Sequence, residues 1–218
     1  LLGLDSQKKG YGPLLPNINF IRFNEEKDLE KISAKTAAVI LETIQGGAGF
    51  IIPENEYLKK VKSKCKDVGA LLILDEIQPG FGRTGRFFGF EHFDVQPDII
   101  VIGKGMGGGL PVGAFTASNH LMKVFEENPK LGHITTFGGN PLIAASCLAT
   151  LRELRDSKII DQIGDKEALF RKELNNEKIL STLSNKLQEW TSQKWIVINS
   201  SSQGQKTIKE KRDESELE

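Results

Sequence analysis

The first 32 residues form a turn-rich lead-in punctuated by Pro13, Pro16 and Asn17, followed by a largely apolar piece, Ile18 to Phe23, that reads as an edge strand. Regular patterning begins at Ala37. Ala37-Ala38-Val39-Ile40-Leu41 is a short continuous apolar run, followed by a glycine loop and then by Pro53-Glu54-Asn55-Glu56, which opens a helix. That helix sets Leu58, Val61, Cys65 and Val68 on one face and charges on the other, and it stops at Gly69. Two more apolar runs follow, Leu71 to Leu74 ending at Asp75-Glu76, and Ile99 to Ile102 ending at Gly103-Lys104. Val112 to Ala117 reads as a further strand, and Asn119 begins a helix with Leu121, Val124 and Phe125 inward that ends before Pro129. Asn140-Pro141 supplies the N-cap and first-turn proline of a helix running to about Leu154. Continuous apolar strands alternating with helices predict an α/β architecture, a mostly parallel sheet covered by helices on both faces.

Past Arg171 the character changes. Trp190 and Trp195 lie near a short strand-like Ile196-Val197-Ile198, and the last 14 residues, Gln205 to Glu218, carry nine charges and almost nothing apolar. Such a composition cannot offset its ordering entropy and predicts disorder. Over the whole 218 residues, 29 Lys and Arg balance 29 Asp and Glu, so no electrostatic footprint points to nucleic acid or to an anionic membrane. No apolar run approaches the ~18 residues of a membrane span. Two cysteines, Cys65 and Cys147, make no disulfide framework, and Leu1-Leu2-Gly3 lacks a secretory layout, so a cytoplasmic setting is expected. Glycine is the unusual count. Of 22 glycines, 17 fall between Gly46 and Gly139, where backbone at positive φ or pressed close to a ligand marks a site.

In open parallel sheets ligands sit beyond the carboxyl ends of the strands, which selects Glu42, Asp75 and Lys104. Asp75-Glu76 has the look of an ATPase's acidic strand end. That reading needs a G-x-x-x-x-G-K-[ST] loop, yet the only Gly-Lys pair, Gly103-Lys104, is followed by Gly105 and preceded by Asp98 where the first glycine belongs. A dinucleotide site fails as well, because Gly80-Phe81-Gly82-Arg83-Thr84-Gly85 follows Gln78-Pro79 and not a strand. What remains is a lysine beside Gly105, Gly107, Gly108 and Gly109, with an aspartate ending another strand 29 residues earlier. Pyridoxal phosphate chemistry needs that pair: an amine to bind the aldehyde, and a carboxylate to keep the pyridine nitrogen protonated. Taken singly, Lys104 reads as a surface lysine, Asp75 as the cap of its own turn, Glu76 as structural, and Arg83 as a loop residue holding its turn through backbone contacts. His92, His120 and His133 show no metal spacing and read as packing or hydrogen-bonding residues.

Four motifs, Leu72-Ile73-Leu74-Asp75-Glu76-Ile77-Gln78, Gly80-Phe81-Gly82-Arg83-Thr84-Gly85, Gly103-Lys104-Gly105-Met106-Gly107-Gly108-Gly109-Leu110-Pro111-Val112-Gly113-Ala114 and Thr135-Thr136-Phe137-Gly138-Gly139-Asn140-Pro141, resemble in order and spacing the class III, or omega, aminotransferases of the acetylornithine and ornithine aminotransferase group. The resemblance runs from about Gly12 to about Leu174. It implies the large domain of a fold type I transferase that uses pyridoxal 5'-phosphate, with Lys104 as the Schiff-base lysine and shuttle of the 1,3-proton shift. It further implies Asp75 at the pyridine nitrogen, Gln78 at the ring's hydroxyl side, and Glu42 supporting the cofactor and substrate pocket. Thr136 would donate to the phosphate of the neighbouring subunit in a homodimer with shared active sites. The implied reaction moves an amino group from an amino acid or omega-amino compound to a 2-oxo acid.

Departures are equally informative. The family's E-P-I-Q-G-E-G-G reads Glu42-Thr43-Ile44-Gln45-Gly46-Gly47-Ala48-Gly49, so Gly47 replaces the glutamate that gates a carboxylate-binding arginine in ornithine- and GABA-type members. The family's phosphate-gripping segment would precede Leu1, and from about Ile179 onward its second domain is not matched. The expected division is therefore an incomplete cofactor-binding large domain over residues 1–174, including the start of the link to the small domain, and a divergent, partly disordered tail over 175–218. The alternatives are a catalytically inactive remnant that only dimerises, and a lyase or racemase on the same scaffold.

Overall fold

The computed structural model describes residues 8–127, 129–130, 133–174, 176–192 and 194. A 3₁₀ helix, Glu26–Lys31, leads into β1 (Ala38–Glu42), α1 (Tyr57–Val68), β2 (Leu71–Asp75) and β3 (Ile99–Gly103). A second 3₁₀ turn, Gly89–His92, precedes β3, and a third, Lys104–Gly107, follows it. The chain continues through β4 (Gly113–Ala117), α2 (Asn119–Met122), α3 (Pro141–Asp156), α4 (Ile163–Leu174) and α5 (Glu177–Thr191). One sheet has the order β1-β2-β3-β4, with the first three strands parallel and β4 antiparallel to β3. This is the α/β class expected, and the four expected core strands lie within a residue of their bounds.

The core forms where α1 crosses between β1 and β2. Tyr57, Leu58, Val61 and Cys65 present one helical stripe to Val39, Leu72 and Leu74, and all seven are buried. Each fully buried aliphatic side chain there contributes about 1.5–3 kcal/mol relative to exposure. Gly69 ends α1 at φ 77, donating its N–H to the carbonyls of Cys65 and Lys66. On the opposite face of β1, Ile40 stands 45% exposed.

Three expectations are corrected. α1 starts at Tyr57 and not at Pro53, because Asn55 and Glu56 take φ of 48° and 57°, a left-handed conformation that cannot propagate a right-handed helix. Ile18 to Phe23 forms no strand. Its polar backbone is satisfied by side chains instead: the Arg22 amide donates to Asp28 Oδ2 at 2.8 Å, and the Phe20 carbonyl accepts from Lys31 Nζ at 3.4 Å. Beyond Ser118, whose hydroxyl caps α2, the helix shortens into a 3₁₀ turn, and Val124 is 69% exposed where an inward position was expected. Phe125 packs at a tilt against Phe115 and edge to face against His133, with ring centroids 5.7 and 5.1 Å away. Past Asn140, whose Oδ1 accepts from Leu142 N and Ile143 N, α3 forms as expected and extends two residues further. The strand expected at 196–198 and the disorder expected over 205–218 fall outside the described residues.

Candidate functional site

Parallel pairing brings three strand ends to one edge of the sheet. Glu42, the last residue of β1, is in register with Asp75, the last of β2, and Asp75 is in register with Val101 on β3, two residues before that strand ends. Lys104 follows β3 directly at φ 43. A non-glycine residue in the left-handed region costs about 1 kcal/mol, and such strain concentrates at functional sites.

The side chains then connect. Lys104 Nζ donates to Gln78 Oε1. Gln78 packs so closely on the glycine loop after β1 that a Cβ at Gly46 would lie 3.1 Å from Gln78 Cγ. The Gly46 amide in turn donates to Glu42 Oε2 at 2.9 Å. Asp75 Oδ1 accepts from the Ile77 amide at 2.9 Å, so Asp75 does cap its own turn, and no described donor engages its Oδ2. Arg83 Nη1 holds the Gln78 carbonyl at 3.1 Å and the Gly80 carbonyl at 3.4 Å, the loop role read for it in the sequence. His92 Nε2 lies 3.0 Å from the Thr84 carbonyl, a hydrogen-bonding histidine as expected.

Glu42, Asp75, Gln78 and Lys104 thus lie along one edge, and all four were legible in the sequence. Thr136 does not join them. It lies in the exposed turn before α3, and no hydrogen bond links it to the cluster among the described residues. Three further residues support the site. Ser146 on α3 donates to the Gly107 carbonyl at 2.8 Å and anchors the turn that carries Lys104. Thr43 and Glu76 form a buried hydrogen bond of 2.5 Å directly beneath the strand ends. Ser146 and Thr43 left no readable signal, since a lone hydroxyl in an apolar helix or after a strand is common. Within the glycine run Gly108 and Gly109 take φ of 57° and 103°, the positive values expected. Cβ atoms at Gly105 and Gly107 would lie 3.2 Å from Phe81 Cβ and 2.8 Å from Val112 Cγ1, so these glycines admit the protein's own side chains.

Burial raises the Glu76 carboxyl above the ordinary carboxylate range, against three hydrogen bonds, from the Thr43 hydroxyl and the Gly89 and Phe90 amides, that favour its ionised form. Among the described residues no helix is long and apolar enough to cross a membrane.

An amine, a carboxylate with one oxygen that no described donor engages, and an amide lie together at the carboxyl edge of the parallel strands. The Aminotransferase class-III family matches residues 6–186, and the chain belongs to that family. Putrescine aminotransferase of Pectobacterium atrosepticum is 45% identical over 163 residues, covering 71% of this chain and 35% of that protein. Ornithine aminotransferase of Oceanobacillus iheyensis is 45% identical over 156 residues, covering 71% of this chain and 38% of its own. The chain therefore spans well under half the length of these relatives. The ornithine aminotransferase structure from Toxoplasma gondii, described with partial occupancy of PLP at its active site, superposes with a TM-score of 0.73 at 35% identity, over 79% of this chain and 41% of that one. A second family, the C-terminal part of DNA polymerase III gamma and tau subunits, matches residues 168–218 and overlaps the first over 168–186.

The donor set fits pyridoxal phosphate. Lys104 would offer the amine for the aldehyde, and the Asp75 oxygen without a described donor would offer the acceptor for a protonated ring nitrogen.

Proposed function

We propose that this chain carries the lysine and aspartate of a class III aminotransferase site. The reaction moves an amino group between an amino acid or omega-amino compound and a 2-oxo acid. The observation that carries this reading is the placement of Asp75 and Lys104 at neighbouring strand ends, with Gln78 on the lysine amine. Lys104 would hold the cofactor covalently and, once released, move a proton at its Nζ. Asp75 Oδ2 would hold the proton on the ring nitrogen, while the Ile77 amide fixes the rotation of the carboxylate. Gln78 would orient the ring from its hydroxyl side, and Glu42, held by Gly46, would support the pocket wall. When bound, pyridoxal phosphate supplies the electron sink that these residues by themselves lack.

The donor is read as a compound with a terminal amine, as the names of the putrescine and ornithine relatives suggest, with the chain working in the cytoplasm. Gly47 in place of a gating glutamate argues against an ornithine-type carboxylate grip. Thr136 would serve a partner's cofactor phosphate across a homodimer, a reading supported by its exposed turn, where the neighbouring Phe137 is 76% exposed.

The test is absorbance of the full chain with pyridoxal phosphate. The wild-type chain is expected to develop a visible band distinct from that of free cofactor, and Lys104→Ala to lose it. No band, or one that survives Lys104→Ala, overturns the assignment. Product assays with an amino donor and a 2-oxo acid separate transamination from lyase or racemase chemistry and from an inactive remnant. The match over 168–218 favours a second reading for that segment alone, namely that it belongs with the polymerase subunits' C-terminal part and takes no part in transamination.

A further inference from the structure

Glu76 is fully buried and directly follows Asp75, the last residue of β2. Its carboxylate accepts three hydrogen bonds: from Thr43 Oγ1 at 2.5 Å, from the Gly89 amide at 2.8 Å and from the Phe90 amide at 2.9 Å. Its backbone is tied on both sides as well. The Glu76 amide donates to the Val101 carbonyl at 2.8 Å, and its carbonyl accepts from the Gly80 amide at 3.0 Å. One residue therefore joins the end of β1, the end of β2, strand β3, the turn that carries Gln78, and the 3₁₀ turn Gly89–His92.

The fit is specific to a carboxylate. Both oxygens meet backbone N–H groups, Gly89 on Oε2 and Phe90 on Oε1. An amide in either flip would set its own NH₂ against one of these donors. A buried donor left without an acceptor costs far more than an ordinary hydrogen bond contributes. The surroundings are built to the same shape. A Cβ at Gly89 would lie 2.9 Å from Pro79 Cβ and 3.3 Å from Glu76 Oε1, so glycine there admits the carboxylate.

We infer that Glu76 is a positioning residue for the cofactor site: its buried carboxylate locks the ends of β1 and β2 so that Glu42, Asp75 and Gln78 keep their places around Lys104. The inference rests on the proposed use of that site for pyridoxal phosphate, and nothing requires Glu76 to touch the cofactor. The lock acts through two amides on the site side, Ile77 N on Asp75 Oδ1 and Gly46 N on Glu42 Oε2, each 2.9 Å long.

The full chain is compared with Glu76→Gln, Thr43→Val and Thr43→Ser, at a temperature where circular dichroism shows each variant folded. Two quantities are read: hydrogen exchange at Ile77 and Gly46 without cofactor, and the dissociation constant for pyridoxal phosphate. Glu76→Gln is expected to speed exchange at both amides and to weaken cofactor binding about tenfold, the scale at which supporting contacts act on a bound group. Thr43→Val, which removes one of the three donors, moves both readouts the same way by less, and Thr43→Ser restores wild-type values. If Glu76→Gln does not fold, Thr43→Val against Thr43→Ser decides. Variants that only melt at lower temperature, with both readouts unchanged, overturn the inference. A wild-type chain that binds no cofactor overturns the proposed function instead, and exchange at the two amides still decides the role of Glu76.

Discussion

Gly80 shows how tightly single residues are constrained beside the site. A Cβ there would stand 2.6 Å from the Glu76 carbonyl oxygen, the same oxygen that accepts the Gly80 amide. Gly80→Ala must therefore open the turn that carries Gln78, at an expected cost of about 1–3 kcal/mol for an overpacked position. Thermal unfolding followed by circular dichroism measures it, and an unchanged midpoint would show that the turn yields freely. At this scale Lys104, Asp75 and Glu42 were readable because reactive chemistry needs particular residue types at strand ends, and Gln78 only through the resemblance of its motif. Glu76 could be read as structural, but its three partners are 13 to 33 residues away, and no local pattern names them.

At the scale of elements, the 3₁₀ helix Glu26–Lys31 depends on one acid. Asp28 is buried, yet the Arg22 guanidinium, the Arg22 amide and then Lys31 hold its carboxyl well below the usual carboxylate range. Because the folded-state value is depressed, its stabilising contribution is complete above the ordinary value of about 3.9 and is lost as the pH falls toward the folded one. Urea unfolding is expected to show wild type losing stability between about pH 5 and pH 3, and Asp28→Asn to be weaker at neutral pH with a flatter acid limb. A variant whose acid limb matched wild type would rule out this pair as its source. Glu76 works in the opposite sense. Its raised value means that its own contribution declines as the pH rises through the range above an ordinary glutamate. The same Asp28 cluster explains the missing strand at Ile18 to Phe23: apolar spacing allows a strand, but side-chain partners, Asp28 as acceptor and Lys31 as donor, took backbone groups that a neighbouring strand would have needed. α1 was legible because its 3.6-residue stripe and its terminal glycine are local facts. Its true start was less so, since two left-handed residues precede it.

Across the whole molecule, two family matches meet within α4 and α5. Residues 187–218 match only the polymerase-subunit family, so their removal is expected to leave the cofactor band and the number of subunits per particle unchanged. Sedimentation of the full chain is expected at dimer mass, and Phe137→Ser, on the exposed turn beside Thr136, is expected to shift it toward monomer. Loss of the band on truncation would show that the tail supports the site, and a monomeric wild-type chain would remove the shared-site reading of Thr136. By itself the sequence determined the class of fold, the order of the four core strands with α1, α2 and α3 among them, and which strand-end residues to weigh, because hydrophobic period and residue chemistry act locally. Only the tertiary structure decided that β4 turns antiparallel, that Gly82, Gly89, Gly105 and Gly107 admit neighbouring side chains, and that a buried carboxylate ties the strand ends together. Those are contacts between distant parts of the chain: α1 seals β1 and β2, and Thr43 and the turn Gly89–His92 enclose the buried Glu76.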